Sequence, residues 1–532
     1  MFSILRTHPH RMAVVCVASI VSVGKFLYYY RQGLTLLYTD AQSHLLIAKR
    51  VIDSPTPGFA QLGNVWPVIQ HVLMLPLIWS DTLFETGIAG SAISMIFFVL
   101  TALVLHETTS MITGDLRAGV VTGLVFVMQP DVGYMQATAM SELPLLFFTA
   151  LSVYYLLCWS RDPENHIHIF RMSVALILAT LTRYEGWILL GTIFVSFLFI
   201  CYRYGYLKVE KKMEAFLLFF LPSFVGVLGW VVWNGVIVHD PLYFMRGEYA
   251  KPSLWVGEND KAVGNVWISI QTYFYAIYEI LGWALIAVAL LALVYFIYKT
   301  RFEQETLGLY VLLFPVVFFP AMLYMGQRPL HVEQINSDLY NVRFALQIVL
   351  IVAILVGYLV AGRVKLQAAI IIPIILLSAY QTYTSDIVTL EEPLGDVSTQ
   401  TSAPFLEVSD WLEDNYSEGR ILMEGYGNDE IQFRSGLPIQ ETVYEGSFRL
   451  WDRALVAPHN HVEWIVMRGE EENFPSDLVW QELHGTSLLL DHFVCVYSNG
   501  TIEVYNKAPS EITSRCIGKG MTLGTHSTET FD

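Results

Sequence analysis

Tyr38-Thr39-Asp40-Ala41-Gln42-Ser43-His44-Leu45-Leu46-Ile47-Ala48-Lys49-Arg50 follows the first membrane-length apolar run of this 532-residue chain. The stretch sets a carboxylate, an imidazole and two cations at a membrane surface. A chain made mostly of membrane helix has little reason to keep such a cluster there unless something polar is handled there. Thr39 is placed to cap a helix beginning at Asp40. On that helix Asp40 and His44 are i,i+4 neighbours, beside an apolar face of Ala41, Leu45, Ala48 and Ile52. The pattern predicts a helix lying flat at the interface with Asp40 and His44 toward a cavity. The plainer alternative is a carboxylate that favours a helix N-terminus through the dipole.

Composition agrees with a membrane chain. It is 54% hydrophobic and only 15% charged, against about 25% charged in ordinary soluble domains. The net charge of -17 is unevenly spread. Residues 1–385 hold 23 Lys/Arg and 22 Asp/Glu, and residues 386–532 hold 8 and 26. The acidic part reads as a separate water-soluble unit, and its charge argues against nucleic acid as a partner. Cys16, Cys158 and Cys201 fall in apolar runs; with Cys495 and Cys516 they form neither a disulfide framework nor a zinc spacing.

A spanning helix needs about 20 mostly apolar residues. Eleven segments qualify, near 12–30, 86–106, 118–136, 142–159, 171–183, 186–202, 214–238, 275–298, 306–325, 343–361 and 367–385. Trp66–Trp79, with Pro67, His71 and Pro76, is too short to span and reads as re-entrant or surface-lying. With the N-terminus cytoplasmic, alternate loops collect Arg117, then Arg161 and Arg171, then Arg203, Lys208, Lys211 and Lys212, then Lys299 and Arg301, then Arg363 and Lys365. The opposite loops hold Asp40, Glu142, Glu185, Asp240 and Glu248. An odd number of crossings then puts the C-terminal domain outside a plasma membrane.

The expected fold class is therefore an α-helical polytopic membrane domain of about 11 transmembrane helices followed by a small extracytoplasmic α/β domain. The divisions are a membrane domain over 1–385 with an outer loop at 31–80, a linker over 386–404, the α/β domain over 405–507 and a flexible tail over 508–532. The linker rests on Glu391-Glu392-Pro393-Leu394-Gly395 and Ser402-Ala403-Pro404. Phe405–Asn415 reads as an amphipathic helix. Residues 420–423, 464–467, 493–497 and 501–505 read as strands, the last two joined by an Asn499-Gly500 turn.

Three further places carry charge where chemistry could use it. Ser141-Glu142-Leu143-Pro144 sets Glu142 in the first turn of a membrane helix. Arg183-Tyr184-Glu185-Gly186 tips a hairpin between two apolar runs, where charge usually meets a partner or a polar cavity. Arg343-Phe344 opens a late helix, where a cation opposes the dipole; an anion such as phosphate would match its guanidinium. The structural alternatives are dipole matching at Glu142, a local Arg183–Glu185 pair and snorkelling at Arg343. The loop His239–Gly264 adds Arg246, Glu248, Lys251 and Lys261 among aromatics. There is no Walker loop, no HExxH, no Cys/His cluster and no Asp-x-Asp. No cofactor is indicated, although Asp40, His44 and Glu142 could hold a divalent metal if they converge.

Taken in order, Tyr38-Thr39-Asp40, Ser141-Glu142, Arg183 to Gly186 and Arg343-Phe344 resemble the GT-C superfamily of integral-membrane glycosyltransferases. The nearest branch in appearance is that of protein mannosyltransferases, aminoarabinose transferases and RgtA/B/C/D-like enzymes. The resemblance implies a polyprenyl-phosphate sugar donor, a glycan, lipid or protein acceptor, and transfer with inversion of a hexosyl or pentosyl group outside the cell. It implies Asp40 as general base and Glu142 as an orienting acid. Arg343 and Arg183 would meet the lipid phosphate, with His44, Arg50, Glu185 and Arg246 as further binding residues. Many members carry paired acids in the first loop; here Ala41 follows Asp40. Two other readings use the same charges: a lipid or solute transporter, or an inactive GT-C-like scaffold. No repeated half supports the transporter.

Overall fold

The computed structural model describes residues 9–507 except 205–216, 218–219, 255, 258–259 and 471–474, and the backbone alone at 396–402. The predicted tail therefore lies outside the described residues, as does Cys516. The chain forms two compact units. One holds Met1–Ala48 and Leu62–Ser398, the other Lys49–Gln61 and Thr399–Asp532.

The first unit is helical. Among the described residues eight helices are long and apolar enough to cross a membrane: Pro9–Arg31, Ile88–Thr113, Glu142–Arg161, Glu185–Arg203, Val266–Thr300, Gln304–Tyr324, Val342–Val360 and Val364–Leu394. The three other expected spans are shorter apolar helices, Leu116–Met128, Ile167–Thr180 and Leu221–Ile237. The expected helix near 118–136 is broken at Gln129, which precedes Pro130 and is extended at φ -64, ψ 122. The proline ring disfavours the helical conformation for the residue before it, and a short helix, Pro130–Met135, restarts beyond. Val266–Thr300 is interrupted at Gly282, whose φ of 66 suits only glycine.

The segment 66–79 is helical over Ile69–Ile78. One side is buried, with Gln70 and His71 fully so, while Val72 and Trp79 are exposed. Gln70 Nε2 donates to the Ala139 carbonyl at 3.2 Å. A polar pair with partners inside the protein is buried at little cost; the same pair facing lipid is not.

The linker expected at 386–404 is helical too, over Val388–Leu394 and Asp396–Asn415. Val388, Thr389, Leu390 and Glu392 are buried within the first unit.

The second unit is a five-stranded sheet in the order β2-β1-β3-β5-β4. The strands are β1 Ile421–Leu422, β2 Thr442–Val443, β3 Trp464–Arg468, β4 Phe493–Ser498 and β5 Ile502–Lys507. β1 runs parallel to β2 and β3, while β5 is antiparallel to β3 and β4. β2 is two residues long, too short for its alternation to be visible in sequence. Successive side chains of β3 serve opposite faces. Ile465 and Met467 pack with Trp451 and Phe493, whereas Trp464 and Val466 pack with Phe405 and Leu412. In the β4–β5 turn Asn499 Oδ1 accepts from the Ile502 amide at 2.9 Å, and Gly500 takes φ 94. Cys16 and Cys158 are free thiols; Cys495 is disulfide-bonded, which corrects the expectation of no disulfide.

Gly186 allows the helices on either side of the 183–186 tip to touch. A Cβ there would fall inside contact distance of the Ala179 backbone carbonyl, which cannot move aside. On the same helix, Gly191 faces open space. Gly186→Ala is expected to cost about 1–3 kcal/mol, and Gly191→Ala to be neutral or stabilising by up to about 1 kcal/mol. Thermal unfolding of the two variants in detergent checks the contrast.

Candidate active site

Arg343 is the hub of the first unit. It lies in the turn Val342–Gln347 that opens a long apolar helix, and its side chain is 8% exposed. Its Nη2 donates to Asp40 Oδ2 at 2.6 Å. Nη1 donates to Glu392 Oε1 at 3.2 Å, and Nε lies 3.3 Å from Glu142 Oε1. The plane of the guanidinium sits over the Tyr38 ring, 4.7 Å from its centroid. Glu392 Oε2 also accepts the Val342 amide at 3.0 Å. The cation at a helix start is therefore matched by three carboxylates, not left for an anion.

Arg183 forms the second node. Its Nη1 donates to Glu142 Oε1 at 2.9 Å and to the Ser141 hydroxyl at 3.0 Å. Nη2 and Nε both reach Glu185 Oε1, at 3.0 and 3.2 Å. Ser141 does precede the helix Glu142–Arg161, but its hydroxyl serves Arg183 and makes no cap bond. Four carboxylates thus share two guanidiniums. Removing one partner of such a buried network strands the others, at about 3–5 kcal/mol.

Glu142, Arg183, Glu185, Arg343 and Gln347 line a small recess, with Leu145, Leu146, Phe344 and Leu346 as its apolar wall. Glu142 Oε2, Glu185 Oε2 and Gln347 Oε1 are buried there without a hydrogen-bond partner among the described residues. The recess therefore offers acceptors that lack donors. Asp40 is the exposed acid of the set, at 36%, against 6% for Glu142, 4% for Glu185 and 5% for Glu392.

His44 stands apart from this ionic set. Its Nδ1 is 2.8 Å from His71 Nε2, and its ring packs on Trp66. Burial, then the positive charges of Arg183 and Arg343, takes its imidazole down to about 3. His44 is neutral and turned toward His71. The helix Thr39–Arg50 has the expected start, and Ala41, Leu45 and Ala48 are fully buried. It is packed into the protein, which leaves Asp40 turned out and His44 turned in.

Two expected site residues do not join the set. Arg50 belongs to the second unit, where Nη2 donates to Asp429 and Gln432, each at 2.7 Å, and the guanidinium covers the Tyr444 ring. Arg246 is exposed and bonded to Asp240 at 2.7 and 3.0 Å. Sequence reasoning missed Glu392, because Glu391-Glu392-Pro393 was read as linker. It also missed Arg328, whose guanidinium lies 5.7 Å from the Tyr184 ring centroid. Among the described residues Arg328 has no carboxylate partner, although its charge acts on Glu185. Among the described residues no three His, Cys, Asp or Glu side chains are grouped to hold a metal. Asp40 and Glu142 face Arg343, and His44 faces His71.

The chain entering Arg343 is pinned by His331. Its Nδ1 is 2.8 Å from Asp338 Oδ2 and its Nε2 3.4 Å from Asp260 Oδ2. The loop is closed by the Tyr340–His331 backbone pair, and Asn341 Nδ2 donates to the Pro329 carbonyl. Burial opposes the charge on His331, but the bonds to Asp260 and Asp338 outweigh it and raise its pKa. A raised native pKa gives stability that is complete below the unfolded value of about 6.5 and is lost as pH climbs through the native value. The unfolding temperature of wild type should fall over that alkaline interval more steeply than that of His331→Gln, measured in matched buffers.

No family model matches the chain, and no curated protein matches it by sequence. Solved structures do. ArnT from Cupriavidus metallidurans bound to undecaprenyl phosphate superposes with a TM-score of 0.58 at 12% identity, over 92% of this chain and 98% of that one. The same protein in the apo state gives 0.51 at 12% identity, over 87% and 92%. The Archaeoglobus fulgidus oligosaccharyltransferase tethered with an acceptor peptide gives 0.50 at 12% identity, over 96% and 75%. The helices, the small sheet unit and these superpositions together give the chain the GT-C fold.

Proposed function

We propose that the chain is an integral-membrane glycosyltransferase that moves a sugar from a polyprenyl-phosphate donor to an acceptor on the extracytoplasmic side. The observation that carries this reading is the recess lined by Glu142, Glu185, Gln347 and the two arginines, of which Arg343 also bonds Asp40. Its Glu142 Oε2, Glu185 Oε2 and Gln347 Oε1 are buried without a donor among the described residues. A sugar is a donor-rich ligand, and its hydroxyls satisfy such atoms; an apolar ligand would leave them costly. The likeness to an ArnT that binds undecaprenyl phosphate supports a lipid-phosphate donor. The basic clusters in alternate loops support a cytoplasmic N-terminus and an extracytoplasmic C-terminal unit.

In this mechanism the acceptor hydroxyl approaches Asp40, the exposed acid of the set. Arg343 Nη2 donates to that carboxylate at 2.6 Å and orients it. The acceptor oxygen bonds to the anomeric carbon as the carbon–oxygen bond to phosphate breaks, and Asp40 takes the hydroxyl proton. The electron pair of the broken bond leaves on polyprenyl phosphate, and attack from the opposite face inverts the anomeric centre. Positive charge on the sugar ring in the transition state is favoured by the surplus of carboxylates around it. The same surplus disfavours the phosphate, so another cation is needed. Arg328, without a carboxylate partner among the described residues, supplies it together with whatever share of Arg343 the Asp40 bond releases.

Asp40→Asn should reduce transfer from radiolabelled polyprenyl-phosphate sugars in membranes by at least about a hundredfold, with membrane insertion preserved. Turnover equal to wild type would remove Asp40 from the base role. Arg328→Ala should raise donor KM by about tenfold or more with a smaller change in kcat. An unaltered donor KM would take the phosphate away from Arg328.

A further inference from the structure

Behind the active site lies a second buried acid that the proposed chemistry does not use. Asp131, in the short helix after the Pro130 break, is 4% exposed. Its Oδ1 accepts the Thr389 amide at 3.0 Å and the Thr389 hydroxyl at 3.1 Å, and Oδ2 accepts from Gln129 Nε2 at 3.0 Å. The charge of Lys25 acts on it; the Lys25 amine is itself buried with no hydrogen-bond partner among the described residues. Gly133 leaves the room that amine occupies, since a Cβ there would collide with it.

Thr389 sits in Val388–Leu394, three residues before Glu392. Its carbonyl is held from the other side by the Tyr38 hydroxyl at 2.7 Å. Tyr38 is also the ring beneath Arg343. The one-turn spacing sends Thr389 toward Asp131 and Glu392 toward Val342 and Arg343.

The geometry points to Asp131 and Thr389 as positioning residues, which act through Glu392 to aim Arg343 at Asp40. The logic is that of a lever. Seven residues in Val388–Leu394 are too few to hold a helix by themselves, so its placement comes from the two anchors. Without the Asp131 anchor, Glu392 loses its station and the Arg343 fork loses one of its three carboxylates. This rests on the reading of Asp40 and Arg343 as the reacting centre, so the test includes a readout that needs no reaction.

The experiment uses full-length protein in lipid nanodiscs, as wild type, Asp131→Asn, Thr389→Val and Thr389→Ser. Thr389→Val keeps the amide bond to Asp131 and loses the hydroxyl, so it serves where Asp131→Asn does not fold. Amide-resolved hydrogen exchange is followed at Thr389 and Val342, and sugar transfer from a radiolabelled polyprenyl-phosphate sugar is followed in parallel. Exchange at Val342 should quicken by about tenfold and kcat should fall by about tenfold at unchanged donor KM, with Thr389→Ser close to wild type in both. Faster exchange confined to Thr389 overturns the lever, because Glu392 then keeps its bond without the anchor. Normal kcat alongside faster exchange at Val342 overturns the positioning role. If wild type transfers no sugar while Val342 still responds, the lever stands and the glycosyltransferase reading falls.

Discussion

One guanidinium organises the site. Arg343 reaches Asp40, Glu142 and Glu392 with three different nitrogens. These acids come from parts of the chain about a hundred to three hundred and fifty residues apart, and nothing local requires them to meet. In a low-dielectric interior each would be costly alone, and so would the arginine. Their mutual pairing makes the burial of Arg343, Glu142 and Glu392 tolerable and fixes where the chain segments lie. Arg183 extends the pairing to Glu185, and the recess opens between the two nodes.

The helical architecture was legible because a membrane span is written in composition. Twenty apolar residues in a row have few alternatives, and each of the eleven expected segments contains helix in its described residues. Length was harder to read. Pro130 divides a segment whose hydropathy is continuous, and the helix Ile167–Thr180 is stopped before the charged tip at Arg183. The short parallel strand β2 carries no periodic signal over two residues. It is defined by its neighbour β1.

The site was legible to the extent that charge in an apolar context is rare. Asp40, Glu142, Arg183, Glu185 and Arg343 each stood out on that ground, and the structure brings them together. Residues from polar surroundings could not be sorted in that way. Arg50 follows Asp40 on the same helix, yet its guanidinium is held by Asp429 and Gln432. Arg246 is an ordinary exposed ion pair with Asp240. His44 shares a face with Asp40 by helical spacing, but its environment is set by His71 and Trp66, which sequence separation conceals. Glu392 was hidden for the opposite reason. A carboxylate beside proline and glycine reads as solvent-facing, and only the three-dimensional path reveals it as buried.

That path separates two boundaries that are easily confused. By hydropathy the membrane unit ends at residue 385, where acidic composition begins. By wiring it ends later, because Val388–Leu394 plugs back into the bundle through Thr389 and Glu392. A fragment cut at the hydropathic edge would retain the long apolar helices up to Thr384 but lack one arm of its central electrostatic joint. Dissection of this protein into membrane and soluble halves therefore belongs beyond Leu394, and a shorter membrane half is best regarded as a damaged one.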